Sequence, residues 1–180
     1  MSENWKSIDE YENYEISDHG NVKNIKTNKM LKPRVNSNGY CCVDLHDNKL
    51  RSTKSIHRLV AEAFFDNPDN KRCVDHIDRN KLNNHISNLR FATTSENGSN
   101  RTIGSNNTSG VIGVEFRKTR NKWRAVIKQN GNKIHLGSFV TKEEAIEARS
   151  KAEEKYFKEF RAQNIYNISN STVNININNS

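Results

Sequence analysis

Val74-Asp75-His76-Ile77-Asp78-Arg79-Asn80-Lys81-Leu82-Asn83-Asn84, continued by Ser87-Asn88-Leu89-Arg90-Phe91-Ala92-Thr93 and then Glu96-Asn97, packs carboxylates, an imidazole and many amides into one short span. A hard cation such as Mg²⁺ or Mn²⁺ takes oxygen ligands and keeps open positions for water and phosphate. Asp75 and the side-chain carbonyl of Asn97 supply such an incomplete shell. A neutral imidazole beside it takes a proton from water attacking phosphorus, while the cation steadies charge on the leaving 3′ oxygen; His76 is placed for that base. The other ring nitrogen needs a partner that fixes the tautomer, and Asn88 is the candidate. His76 and Asn88 are thus the candidate catalytic pair, and Asp75 and Asn97 the candidate metal ligands. Strand neighbours point to opposite faces, so Asp75 and His76 reach one site only from a strand end or a bulge. The same residues also suit a polar loop in which both make turn hydrogen bonds.

Upstream, Ile56, Leu59, Val60, Ala63 and Phe64 recur at helical spacing, and Asn67-Pro68 ends the pattern. Residues 1–50 read as short strands and turns, with aromatic anchors at Trp5, Tyr11 and Tyr14 and turn residues at Asp18, Gly20, Asn38 and Gly39. After Gly39, alternation assigns Cys41, Val43 and Leu45 to a core face and Tyr40, Cys42 and Asp44 to the other.

Downstream, residues 101–110 are rich in Ser, Asn, Gly and Thr and read as a linker. In the segment 111–162, runs Lys122 to Gln129 and Asn132 to Phe139 flank Asn130-Gly131, the preferred dipeptide of a type I′ hairpin turn. Thr141 and Glu144 form a capping-box signature ahead of Ala145, Ala148, Ala152 and Tyr156, which predicts a helix packed close through alanine. Residues 163–180 alternate Asn, Ile and Ser and are expected to be disordered. The fold class is therefore α+β, built from small modules: a β-rich unit (1–50), a central core (51–100), and a three-stranded antiparallel sheet with one helix.

Over 180 residues the formal net charge is +8, which suits a polyanionic partner through counterion release, and only 33% of residues are hydrophobic, which favours small modules over one large core. The Lys and Arg are dispersed, so charge alone also permits a basic surface without such a partner. Three cysteines without a C-x-x-C pair indicate neither a disulfide framework nor a zinc site. No apolar run reaches the length of a membrane span and no secretion signal is recognisable, so an intracellular protein is expected, with no membrane and no protein partner implied.

The spacing of Asp75-His76, Asn83-Asn84, Asn88-Leu89-Arg90 and Asn97 resembles the HNH nuclease motif in its His-Asn-Asn form, found in intron-encoded and free-standing homing endonucleases. That resemblance implies a ββα-metal core, one divalent metal ion per core on Asp75 and Asn97, His76 as general base, Asn88 supporting the finger, and hydrolysis of phosphodiesters in double-stranded DNA. Asn97 stands where the family often has His. Ile56 to Phe64 resembles the segment leading into that core; His57 on it is read as structural or phosphate-contacting. Trp5, Tyr11 to Ser17, Gly20, Val22-Lys23, Leu31-Lys32-Pro33 and Gly39-Tyr40 resemble the modular motif (NUMOD type) that precedes such nucleases.

Ser109-Gly110, Gly113-Val114, Lys122-Trp123-Arg124-Ala125 and Leu136-Gly137-Ser138-Phe139 resemble the Apetala-type DNA-binding domain. Alternation turns Val114, Phe116, Trp123, Ala125, Ile127, Ile134 and Leu136 toward the helix and leaves Arg117, Arg124, Lys128, Lys133 and His135 as candidate DNA-binding residues on the other face. Arg and Lys on a twisted sheet can enter the major groove, reading guanine edges and neutralising phosphates. Glu115 stands where the family usually has Arg, and His135 where it has Trp. The rival reading from another class is a sequence-specific DNA-binding regulator with an inactive nuclease core. An RNA-binding protein is a second rival, but the sheet lacks the exposed aromatic pair of base-stacking platforms.

Overall fold

Alternating apolar residues separated by tight turns produce, at the start of the chain, β1 (Trp5–Ile8), β2 (Tyr11–Ser17), β3 (Val22–Asn24) and β4 (Lys29–Met30), an antiparallel sheet in that order. The computed structural model describes residues 2–47 and 50–160, so the expected disordered tail at 163–180 lies outside the described residues, as do 161 and 162. Tyr14 and Ile16, two apart on β2, are both buried, and Val22 packs opposite Ile16.

A second antiparallel sheet follows from β5 (Arg34–Val35), β6 (Cys41–Asp47) and β7 (Leu50–Ser55). Val43 and Leu45 enter the core as alternation predicts, whereas Cys42, expected on the outer face, is only 2% exposed. Its thiol is enclosed by the Tyr40 carbonyl at 3.6 Å, the Ser55 hydroxyl at 3.8 Å and the Asn36 amide at 3.4 Å. Local polar cover, absent from an alternation argument, makes both faces of β6 buried at this point.

Helix α1 (Ile56–Phe64) buries Ile56, Leu59, Val60 and Ala61 and ends where Phe65 turns extended, ahead of Asn67-Pro68. Then come β8 (Cys73–His76), β9 (Leu89–Ala92) and the short α2 (Thr94–Ser99), a ββα order. Ile16, Leu45, Val60, Val74 and Leu89 belong to one hydrophobic cluster, so residues on both sides of position 50 share a core, and residues 1–97 form one compact unit. Each fully buried side chain of this kind contributes roughly 1.5–3 kcal/mol.

The other unit, from Gly98 on, holds β10 (Val114–Arg117), β11 (Lys122–Gln129) and β12 (Asn132–Phe139), antiparallel in that order, with α3 (Lys142–Phe157) across one face. Asn130 and Gly131 have φ of 48° and 85°, the positive pair that a type I′ turn requires. Thr141 and Glu144 close a complete capping box on α3. Ala125 and Ala145 are both wholly buried, which lets helix and sheet approach closely. One feature was invisible in the periodicity: Arg149 and Glu153 are buried as an ion pair at 2.8 Å, and the guanidinium also bonds the Val126 carbonyl, where β11 and β12 shift register. Among the described residues no helix is long and apolar enough to cross a membrane.

Candidate active site

Strands β8 and β9 are joined by the polar stretch 77–88, and the candidate residues Asp75, His76 and Asn88 lie where the two strands meet it. His76 is the last residue of β8, opposite Leu89, and the turn that follows is closed by Arg79 N–H donating to the His76 carbonyl at 2.9 Å. His76 thus stands at the strand end, whereas Asp75, expected to leave the regular strand with it, keeps ladder register opposite Arg90 with no bulge. Asp75, His76, Asn84 and Asn88 are all buried polar groups, which fold stably only when hydrogen-bonded.

Those bonds are specific. Arg90, the cross-strand neighbour of Asp75, donates to its Oδ2 through Nε at 2.9 Å and Nη2 at 2.8 Å. His76 Nε2 meets Asn84 Oδ1 at 3.2 Å, while Asn84 Nδ2 donates to the Leu82 carbonyl at 3.2 Å, which fixes the amide's orientation. A carbonyl oxygen only accepts, so Nε2 carries the hydrogen and the neutral ring keeps its lone pair on Nδ1.

Asn88, expected to orient the imidazole, does something else with its side chain. Its Nδ2 donates to Asp78 Oδ1 at 2.9 Å and to the Asn83 carbonyl at 2.8 Å, and its Oδ1 accepts from Asp78 N–H at 3.0 Å. It stitches the connecting stretch together, and Asn84 holds the ring. Both amides lie in the stretch quoted at the outset; nothing in spacing ranks one above the other, because the choice depends on how the stretch folds back.

Tyr40 and His57 complete the surroundings of His76. Ring centroids are 4.8 Å apart for Tyr40 and His57, 5.1 Å for His57 and His76, and 5.9 Å for Tyr40 and His76. His57 is 8% exposed, and its Nδ1 is buried with no hydrogen-bond partner among the described residues. Burial, aided by the neighbouring His76 and Arg58, pushes its pKa down to about 4. Burial also lowers the His76 pKa, against the opposing pull of the Asn84 bond and the Asp78 and Asp75 charges. Both rings are accordingly neutral at neutral pH, the form in which a histidine can accept a proton.

Asn97 sits half-buried on α2, whose start is tied by reciprocal bonds between Thr93 and Glu96 at 2.7 and 3.2 Å and by a Lys71–Glu96 ion pair at 3.3 Å. Among the described residues no group of three or more His, Cys, Asp or Glu side chains is arranged to hold a metal. Asp75 and Asn97, one carboxylate and one amide, are oxygen donors of the kind a hard cation takes, and Asp75 Oδ2 here accepts from Arg90.

In the second unit Arg117, Arg124, Lys128, Lys133 and His135 lie on the face opposite α3, with Lys128 paired to Lys133 and Val126 to His135 across the hairpin. Arg124 is not a free cation there: it forms an ion pair with Glu115, its partner on β10, and Arg117 lies 3.6 Å from the same carboxylate.

Residues 3–46 match the NUMOD4 motif and residues 54–99 match an HNH endonuclease family. An uncharacterized HNH endonuclease (L245) of Acanthamoeba polyphaga mimivirus is 41% identical over 74% of this chain and 37% of its own length. The DNA endonuclease I-HmuI of Bacillus phage SP01 is 39% identical over 54% of this chain and 56% of its own. The chain thus spans less than two thirds of these curated relatives. The solved structure of the HNH homing endonuclease I-HmuI, described as binding and cleaving DNA, superimposes with a TM-score of 0.54 at 30% identity, over 84% of this chain and 88% of that one.

Proposed function

We propose that this chain, which belongs to the HNH homing endonuclease family, hydrolyses phosphodiester bonds in double-stranded DNA as a nuclease of a mobile element. The observation that carries the reading is the buried His76 at the end of β8, its Nε2 bonded to Asn84 and its chain neighbour the buried Asp75 carboxylate. His76 Nδ1 accepts the proton of a water that attacks phosphorus in line with the leaving 3′ oxygen, and Asn84 keeps Nε2–H engaged while the ring becomes charged. Asp78 supports that charge. Its burial favours the neutral carboxyl, but bonds from Asn83, Asn80 N–H and Asn88 outweigh burial and hold its pKa below the ordinary value. A divalent ion, Mg²⁺ or Mn²⁺, held by Asp75 and Asn97 would stabilise the negative charge developing on the leaving oxygen.

The second unit is read as the anchor. Its sheet-and-helix order and its basic face support the Apetala-type assignment and a DNA-binding role for Arg117, Arg124, Lys128, Lys133 and His135. Pairing of Arg124 with Glu115 means that base reading by this arginine competes with an internal carboxylate.

Nicking of supercoiled plasmid in Mg²⁺ or Mn²⁺ tests the proposal. Replacing a general base costs about 10²–10⁴-fold in rate, so His76→Ala should lose nicking to that extent while binding DNA as the unaltered chain does. Equal nicking by both removes His76 from the mechanism; no nicking by either favours a DNA-binding regulator.

A further inference from the structure

The N-terminal segment touches the stretch 77–88 from two places, and both contacts converge on neighbours of His76. In the turn after β2, Gly20 has a φ of +85°, and a Cβ there would lie 2.9 Å from Asn84 Cβ and 3.2 Å from Ile56 Cγ2. Only a residue without a side chain lets this turn approach Asn84 so closely. The same turn accepts Ile86 N–H on the Asp18 carbonyl at 2.8 Å and sets His19 edge-on to His85 with centroids 4.6 Å apart. In the turn before β6, Asn36 Oδ1 accepts from both Asn38 N–H and Tyr40 N–H at 3.0 Å. Lys81 clasps this second turn, donating to the Asn38 carbonyl at 3.0 Å with Nζ 4.5 Å from the Tyr40 ring centroid.

We propose that the N-terminal segment is a positioning part of the catalytic site: the turn at Gly20 seats Asn84 against His76 Nε2, and Tyr40, packed on His57, limits the tilt of the His76 ring. The inference rests on His76 acting as the base. It assigns the segment a role besides any contact with DNA, because neither Gly20 nor Tyr40 needs to touch substrate for the rate to depend on it. The bond from Nε2 to Asn84 fixes one edge of the imidazole, and a flat aromatic wall restricts the tilt of the ring as a whole.

The test compares the full chain with Tyr40→Ala, Tyr40→Phe, Gly20→Ala and Lys81→Met. It measures single-turnover nicking at saturating plasmid with Mn²⁺, the Kd for the same DNA, and the ¹⁵N signals that report the His76 tautomer. Misplacing a reacting group by an ångström costs up to about a hundredfold, so Tyr40→Ala and Gly20→Ala should slow nicking at least about tenfold with Kd within about twofold and altered His76 signals. Tyr40→Phe keeps the ring and should return the rate to within about twofold of the unaltered chain. Should Gly20→Ala fail to fold, Lys81→Met, an exposed change, still probes the clasp, and losing its cation–π contact and hydrogen bond should slow nicking about two- to threefold. Unchanged rate and unchanged His76 signals in Tyr40→Ala overturn the inference, and so does a loss seen only in Kd. If the unaltered chain nicks nothing, the nuclease reading fails on its own, and the tautomer signals decide here: altered in Tyr40→Ala supports positioning, unaltered overturns it.

Discussion

Arg90 and Arg124 each lie directly across an antiparallel strand pair from a carboxylate, Asp75 in the first unit and Glu115 in the second. Their settings differ. Asp75 is 4% exposed and its arginine 18%, whereas Glu115 is 45% exposed and Arg124 27%. In the first pair water is largely excluded and the attraction is little screened; in the second the side chains are more exposed and solvent weakens the pair. The same residue types thus build a largely enclosed pair beside His76 in one unit and a more exposed pair on a sheet face in the other.

Breaking the buried pair should give the largest effect. Asp75→Ala removes the carboxylate that Arg90 pairs with, and loss of one member of a buried pair costs about 3 kcal/mol, read as a lower denaturant midpoint at constant m-value. If Asp75→Ala unfolds at the same denaturant concentration as the unaltered chain, the two pairs are alike and the comparison fails.

The exposed pair should barely affect stability but should affect binding. Glu115→Gln releases Arg124 and Arg117, and because an exposed pair is worth at most about 1 kcal/mol, affinity for DNA should rise by about two- to fivefold. The dependence of log K on log salt should steepen at the same time. Unchanged affinity and salt slope would mean that this face does not meet phosphate.

The third test concerns His57, whose effect is confined to acid pH. Unfolded, it protonates near the ordinary histidine value of about 6.5, whereas in the fold it stays neutral down to about 4. Between these values the unfolded state binds more protons, so this contribution to stability is intact above the upper value and is lost as pH falls through the window. His57→Phe should flatten the fall of stability across that range; an identical slope in the variant would place the titration elsewhere.

Much of the local structure was legible in the residues themselves. Asn130-Gly131 specifies its turn because both positions need positive φ, Thr141 and Glu144 cap α3 through neighbouring atoms, and the spacing of Ile56, Leu59 and Val60 defines the buried stripe of α1. The ββα order around Asp75 and His76 was legible through family spacing. Cys42 was misjudged, because alternation describes a strand with one open face while Asn36, Tyr40 and Ser55 close over the other. The buried Arg149–Glu153 pair escaped because a charged residue on a helix reads as solvent-facing until its bonding partner, here the Val126 carbonyl, is brought to it by the sheet.

By itself, then, the sequence determined the elements, their order and the residue types at the site, since turn chemistry, capping and burial periodicity act over a few residues. Only the tertiary structure decided which asparagine bonds His76, that Gly20 lies against Asn84 and Tyr40 near His57 and His76, and which arginine meets a buried carboxylate. Those choices depend on which distant segments are brought within hydrogen-bonding distance. Many amides and charges compete chemically for each bond, and packing of one core by residues from both sides of position 50 selects among them.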